Sequence, residues 1–401
     1  MPIPKAHILA INGGSSSIKF ALFECSQPMN RILFGAIDRI GLSDAHFHVT
    51  ASTPEESFSS IVTVPDHSAA ATLLINWSDE REKKQGGKLT AIGHRLVHGG
   101  PNFSTPQTIT PEIIGELRKL EAFDPEHLTE EIFLAEIFEK HFPNTLQIAC
   151  FDTAFHHNLP RVTLQLPIPR RYEAHGVRRY GFHGLSYSYL MGQLACILGD
   201  RVAQECIILA HLGNGASLAA VKMGRSVDTT MSLTPTSGVP MSCRSGDLDP
   251  GLQAYLQRTV QMTPENFDKM VNFESGLLGI SESSANMQDL LAIESADFRA
   301  AEAIALFCYQ IKKSIGAYAA ALGGVHTIVF SGGIGENSPI IRSRICEGLE
   351  FMGIRIDQKA NDNNEQIISS ETERVRVMVI PTDEELIIAN SVMEVMESTL
   401  K

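Results

Sequence analysis

Two arginines stand where packing alone does not account for them. Arg95 lies in Ile92-Gly93-His94-Arg95-Leu96-Val97-His98-Gly99-Gly100, an apolar strand end closing on two glycines, where a charge is seldom placed without a partner. Arg244 lies in Met241-Ser242-Cys243-Arg244-Ser245-Gly246-Asp247-Leu248-Asp249-Pro250, a loop too polar and irregular for packing to be its purpose. A guanidinium is suited to planar, bidentate recognition of phosphate or carboxylate. Asp152 follows the apolar run 146–150 and so falls at the C-terminal end of a predicted strand. Carboxylates at such ends commonly hold a metal ion or a reacting group, and capping a short helix is the alternative. His183 sits between glycines in Gly181-Phe182-His183-Gly184, where an imidazole could donate a hydrogen bond to a transferring phosphoryl group. For Arg170 and Arg171, which crowd one segment with Arg178 and Arg179, surface ion pairing is the expected role.

Glycine turns are the elements that must position these groups. Residues 8–23, ILAINGGSSSIKFALF, predict a strand, a tight turn and a second strand with Lys19 inside it. In that turn Gly13 and Gly14 are expected to take positive φ, and Asn12, Ser15, Ser16, Ser17 and the turn amides offer partners for phosphate oxygens. The pattern recurs from Cys206 in CIILAHLGNGASLAAVKMGRSVDTT, which suggests two related halves. A third turn, Ser331-Gly332-Gly333-Ile334-Gly335, joins a strand at 327–330 to a helix. Two strand-turn-strand loops and a strand-turn-helix describe a cleft that grips a nucleotide's phosphates from both sides. That arrangement resembles the actin, Hsp70 and sugar-kinase superfamily.

A chain of 401 residues exceeds what one core usually serves, and 43% apolar content suffices for two domains. The expected domains are residues 1–152 with 387–401, carrying the phosphate turn and the carboxylate site, and residues 153–386, carrying nucleotide binding. No charge-free apolar run approaches the ~20 residues of a membrane span. The longest candidate, residues 301–330, is broken by Lys312-Lys313. The N-terminus does not read as a signal peptide, and seven cysteines without a C-x-x-C pair fit reduced thiols. A cytoplasmic location is expected. The formal charge of −13 argues against nucleic acid or an anionic membrane as partner.

Eight ordered motifs resemble the acetate and propionate kinase family through most of the chain. They are INGGSSSIKF at 11–20, GHRLVHGG at 93–100, FDTAFH at 151–156, YGFHG at 180–184, HLGNG at 211–215, RSGDLDP at 244–250, GGIGEN at 332–337 and PTDEEL at 381–386. The resemblance implies an α/β, two-domain, duplicated ribonuclease-H-like fold, and Mg²⁺-dependent transfer of the ATP γ-phosphoryl group to acetate. Mn²⁺ is an alternative metal. Carried over, it puts Asn12 and Glu384 near the metal and Lys19 near the nucleotide phosphates. Arg95 would bind the carboxylate, Asp152 would be the essential acid, and His183 and Arg244 would stabilise the transition state. Val97, His127, Phe182 and Pro235 would line the acyl pocket. Nucleotide contacts would come from His211, Leu212, Gly213, Asn214 and Gly215, from Asn286, Met287 and Gln288, and from Gly333, Ile334, Gly335, Glu336 and Asn337. A homodimer is implied as well.

The sequence also departs from that pattern. In Asp124-Pro125-Glu126-His127-Leu128, Glu126 puts a carboxyl where the family has a pocket leucine, and it is expected to point to solvent, because an unpaired carboxylate in an apolar pocket is costly. Asn286 and Gln288 replace an aspartate and an arginine, which predicts relaxed nucleotide selection. Thr110-Pro111 predicts a helix through Phe123, Thr129 caps another through Phe142, and residues 361–374 read as a loop or edge hairpin. Glu384 is expected at a strand's C-terminal end, followed by a closing helix over 386–396. The rival functions are a kinase for propionate or another short acid, a non-catalytic actin-like ATPase or regulator, and a sugar kinase.

Overall fold

A computed structural model describes residues 5–14, 16–370 and 372–399; Ser15 of the first turn lies outside them. The chain divides into two compact units, Met1–Ala154 with Asp383–Lys401, and Phe155–Thr382.

The first unit is built on an eight-stranded sheet, β1 (Ala6–Gly13), β2 (Ser17–Glu24), β3 (Asn30–Asp38), β4 (His46–Ala51), β5 (Phe58–Ile61), β6 (Lys88–Leu96), β7 (Gln107–Thr108) and β8 (Leu146–Phe151). Its order is β5-β4-β3-β2-β1-β6-β8-β7. β1 pairs antiparallel with β2 but parallel with β6, and β6 runs parallel to β8. Ile8, Leu9, Ala10 and Ile11 of β1 are all buried, the continuous apolar pattern of a strand covered on both faces. Leu9 and Ile11 pack with Leu74 of the helix His67–Gln85 and Phe138 of the helix Leu128–His141. The helix Glu384–Thr399 lies against β1 and β6.

His94 is buried in this core. Its Nε2–H donates to Gln147 Oε1 at 2.7 Å and its ring meets Phe138 edge-on. Burial pushes the imidazole down to about 4. In the unfolded chain histidine titrates near 6.5, so as pH falls the unfolded state binds the proton first. The stability that neutral His94 contributes is present above 6.5 and lost towards 4, about 2 kcal/mol of it by pH 5. Denaturant unfolding of parent and His94→Gln at pH 7.5 and 5 should show the parent's advantage shrinking by that amount; a constant difference would refute it.

The second unit holds β9 (Cys206–Leu212), β10 (Ala216–Lys222), β11 (Arg225–Thr229), β12 (Thr327–Ser331) and β13 (Arg376–Val379), in the order β11-β10-β9-β12-β13. β9, β10 and β11 form an antiparallel meander, and β9, β12 and β13 run parallel. The same order and directions relate β3-β2-β1-β6-β8, so the two units share one topology. Tyr187, Leu190 and Leu194 of the helix Gly184–Leu198 pack on Ile207, Leu209, Val329 and Met378. The long helix Phe298–Leu322 buries Ala300, Ala303, Ile304, Phe307, Ile311 and Ile315 at three- and four-residue intervals. Among the described residues no helix is long and apolar enough to cross a membrane.

Several boundaries differ from the sequence reading. Thr110 does cap a helix, accepting the Ile113 N–H at 3.3 Å, but that helix is Pro111–Arg118. Lys119 N–H reaches back to Glu116 and Leu117 carbonyls, which tightens the last turn, and Glu121–Phe123 is a separate 3₁₀ turn. Thr129 caps nothing. The next helix starts at Leu128, because Asp124 accepts the His127 N–H at 3.1 Å and sets the chain before it. Residues 361–374 include the end of the helix Gln358–Asp362 and bridges Ile367↔Met378 and Ile356↔Ser369. Glu384 does not end a strand: β13 stops at Val379 and Glu384 opens the closing helix.

Candidate functional site

In the first unit the C-terminal ends of the parallel strands β1, β6 and β8 lie side by side, since Ile11 pairs with His94 and Leu96 with Phe151. Gly13, Arg95, Val97 and Asp152 therefore emerge at one edge of the sheet, where ligands bind in open α/β sheets. Neither Gly13 nor Gly14 has the positive φ expected of it. Gly13 still pairs with Ile18 as the last residue of β1, and the space beside it is tight: a Cβ would lie 3.2 Å from Leu134 Cδ2, which would have to give way. Asn12 and Lys19 face each other across the hairpin, with Lys19 exposed. Asn12 Nδ2 donates to Glu384 Oε2 at 2.8 Å.

Arg95 is held between two buried carboxylates. Its Nη2 donates to Asp152 Oδ2 at 3.0 Å and its Nη1 to Glu131 Oε1 at 2.8 Å. Burial opposes the Arg95 charge, but Asp152, Glu131 and Glu384 together raise its proton affinity above the ordinary value. Burial pushes Glu131 up to about 8, while Arg95 and the Val97 N–H pull it back. The other Glu131 oxygen accepts that N–H at 2.6 Å. The Val97 side chain is buried. His127 Nδ1 contacts Asp124 Oδ1 at 2.9 Å, and Glu126 is exposed.

In the second unit the turns after β9 and β12 come together because the strands are parallel neighbours, Ser331 opposite His211. Gly332 has φ +75, and a Cβ there would sit 2.7 Å from the Leu212 carbonyl oxygen, so only glycine fits. A Cβ on Gly213 would lie 3.7 Å from Gly333 N. The helix Gly332–Asn337, which carries Ile334 and Gly335, starts immediately after β12. Glu336 Oε1 accepts the N–H groups of Gly332 at 2.8 Å and Thr382 at 3.0 Å, so this carboxylate shapes the turn. Asn337 Nδ2 donates to Gly333 O at 3.0 Å.

His183 precedes the helix Gly184–Leu198 in the left-handed conformation, φ 58. Its Nδ1 contacts Ser217 Oγ at 2.8 Å, and its ring lies 4.3 Å from that of His211. The position a Cβ would take on Gly215 is 3.1 Å from His183 Nε2 and 3.9 Å from Arg244 Nη1. Histidine, arginine and glycine turn thus converge. The Arg244 loop is tied to that turn by the Ser242 N–H, which donates to Asn214 O at 3.1 Å. Phe182 and Pro235 are buried. Asn286 caps the helix Met287–Ile293 by accepting the Gln288 N–H at 2.8 Å; Gln288 is exposed and Met287 buried.

Sequence reading missed Glu131, Asp124, Ser217 and Arg342. Arg342 is fully buried, donating to the carbonyls of Gly335 at 2.8 Å and Glu336 at 2.9 Å and to Asn361 Oδ1 at 2.8 Å. A signal existed for two of them. Glu131 falls on the buried face with Leu128, Leu134, Ala135 and Phe138, and Arg342 lies among buried Ile341, Ile345 and Cys346. A charge on an apolar helix face implies a fixed partner. Among the described residues there is no group of three or more His, Cys, Asp or Glu side chains arranged to hold a metal.

The model of the Acetokinase family matches residues 7–390. The chain is 41% identical over 391 residues to "Acetate kinase" of Bacillus cytotoxicus, covering 96% of this chain and 98% of that one. It is 42% identical over 391 residues to "Acetate kinase" of Rhodopseudomonas palustris, covering 96% and 97%. Among solved structures it resembles Porphyromonas gingivalis acetate kinase, with TM-score 0.87, 35% identity and coverage of 98% and 100%. It also resembles a propionate kinase from Francisella tularensis, with TM-score 0.90, 34% identity and coverage of 97% and 99%.

Proposed function

The chain belongs to the acetokinase family, and from that premise we propose that it transfers the γ-phosphoryl group of ATP to acetate, reversibly, giving acetyl phosphate and ADP. It is a phosphotransferase with a carboxyl acceptor, on the two-domain α/β fold of the actin, Hsp70 and sugar-kinase type. The observation that carries the acceptor reading is Arg95, a partly buried guanidinium, 15% exposed, fixed by Asp152 and Glu131 at the C-terminal edge of a parallel sheet.

Phosphoryl transfer passes through a loose state whose charge lies on the equatorial oxygens, so catalysis is positioning and electrostatic stabilisation. Arg244 and His183 meet that charge, and Arg95 orients the acceptor. Acetate, with a pKa of roughly 4, is already ionised at neutral pH and needs no general base. A sugar kinase would need its aspartate to take a hydroxyl proton; here Asp152 already accepts from Arg95. Transfer is direct and in line, and a phosphoprotein trapped on Glu384 during turnover would refute that.

Mg²⁺ demands hard oxygen donors and keeps several waters, binding through one or two carboxylates plus phosphates. Asn12 and Glu384 are adjacent, the Asn12 Nδ2 donating to the carboxylate, and the Glu384 carboxylate with the amide's other atom, its oxygen, would fit the ion, or Mn²⁺ in its place. When bound, the metal would neutralise phosphate charge. Lys19, the turn of residues 211–215, residues 286–288 and residues 333–337 would receive the nucleotide. Arg342→Ala, which strips the donors from the Gly335 and Glu336 carbonyls, should raise the ATP KM by about tenfold or more and leave the acetate KM unchanged. Equal KM values for ATP in variant and parent would refute that support role.

We also propose a homodimer. The helices Leu252–Val260 and Pro264–Phe273 bury no residue, and Tyr255, Val260 and Phe273 are exposed. Exposed apolar faces of this kind mark association surfaces. Light scattering at one chain's mass, 43.8 kDa, would overturn it. A cytoplasmic site of action is proposed because the cysteines among the described residues are free thiols and the phosphoryl donor is ATP.

Hydroxylamine trapping with Mg-ATP and formate, acetate, propionate or butyrate tests the function. The likeness to a propionate kinase favours propionate as the second substrate to compare. Product with acetate supports the proposal, a clear preference for propionate would move the assignment to that acid, and product with none would overturn it. GTP or ITP should replace ATP at reduced efficiency, given exposed Asn286 and Gln288; strict ATP use would refute that relaxation.

A further inference from the structure

We propose that Glu131 is a positioning residue for the carboxylate acceptor, its two oxygens tying the Arg95 guanidinium and the Val97 backbone into one rigid unit. This rests on the reading of Arg95 as the acceptor-binding group. Glu131 stands on the helix Leu128–His141, and its side chain is 2% exposed. Its partners come from the end of β6, one side chain and one N–H two residues on. A purely structural ion pair would need only the first. The second bond fixes the backbone of a residue expected in the acyl pocket wall, so one carboxylate sets the distance between that wall and the guanidinium.

Asp152 completes the arrangement from a different element. With Nη1 bonded to Glu131 and Nη2 to Asp152, the guanidinium plane is pinned at both ends, and its remaining N–H groups point in a fixed direction. Glu131 also packs 3.8 Å from the place where a Cβ would stand on Gly13, at the phosphate turn. Misplacing a reacting group by about 1 Å can cost on the order of 100-fold in rate, so the clamp acts on turnover. An orientation effect of this kind is read in kcat rather than in nucleotide binding.

Glu131→Gln keeps the size and one accepting oxygen but turns an NH₂ towards a donor, which breaks one side of the clamp. It should lower kcat by about 10- to 100-fold and leave the ATP KM within about twofold. Glu131→Asp withdraws the carboxyl by one methylene, and kcat should fall similarly. Melting temperatures and equilibrium ATP binding are recorded for both. Unchanged kcat in both variants overturns the proposal, and so does a loss shared by ATP binding and melting temperature, which marks a structural pair. A parent protein that makes no acyl phosphate would instead refute the carboxylate-kinase reading.

Discussion

Arg244→Ala should lower the rate of acyl phosphate formation by about 10³- to 10⁵-fold, the range by which an arginine on the transferring group accelerates phosphoryl transfer. Arg244 Nη1 and His183 Nε2 both approach the Gly215 turn, so two cationic or donor groups face one short stretch of backbone. The loop that carries Arg244 is held by backbone bonds, Met241 N–H to Arg244 O at 3.0 Å and Ser242 N–H to Asn214 O at 3.1 Å. Those bonds do not involve the side chain, so the loop keeps them when that group is removed. Nucleotide affinity should move much less than kcat, because the glycine turns are untouched. Arg244→Lys restores the charge without the planar fork and should recover only part of the rate. A fall of less than tenfold in the alanine variant, with acetate saturating, would remove Arg244 from the transition state.

What was legible in the sequence followed from local rules. The runs before Asn12, Leu212 and Ser331 are strands because their β-branched and aliphatic residues are buried on both sheet faces, and the glycines after them mark the turns. Asp152 reads as a strand-end residue because six apolar-patterned residues precede it, and β8 ends at Phe151. What stayed hidden depends on contacts between distant residues. Nothing near Val97 announces that its N–H is taken by a glutamate 34 residues on. Gly13 looked like a residue chosen for a positive φ, but its φ is not of that kind, and what distinguishes the position is the crowding of Leu134 from a later helix. Thr129 looked like a cap, yet the helix starts at Leu128 with no side-chain cap, and Asp124 fixes the residue before it by accepting the His127 N–H. The pattern of burial along a helix can show that Glu131 or Arg342 is enclosed; only the fold shows by what.

Arg95→Ala should abolish measurable transfer and also destabilise the first unit, by about 3–5 kcal/mol, the cost of removing one partner from a buried ion pair. Asp152 and Glu131 have side chains 1% and 2% exposed, and without the guanidinium both would remain in the interior having lost its charge. Glu131 is the one to yield. Burial already pushes it up to about 8 with Arg95 present, and deleting the cation drives it further up. A carboxyl whose folded pKa lies above its unfolded value weakens the fold increasingly as pH rises past the unfolded value near 4.5, because the unfolded chain releases its proton first. The variant's deficit relative to the parent should therefore be larger at pH 8 than at pH 6 in denaturant unfolding. Adding Glu131→Gln to Arg95→Ala removes the carboxyl that must take up a proton on folding and should recover a substantial part of the stability, while the rate stays at background. Stability regained without catalysis would mean that Glu131 and Arg95 balance each other's burial, and that Arg95 is the group the acceptor contacts. If the single variant instead melts with the parent at both pH values, the buried pairing of Arg95 with Asp152 and Glu131 is wrong, and the acceptor assignment built on it falls with it.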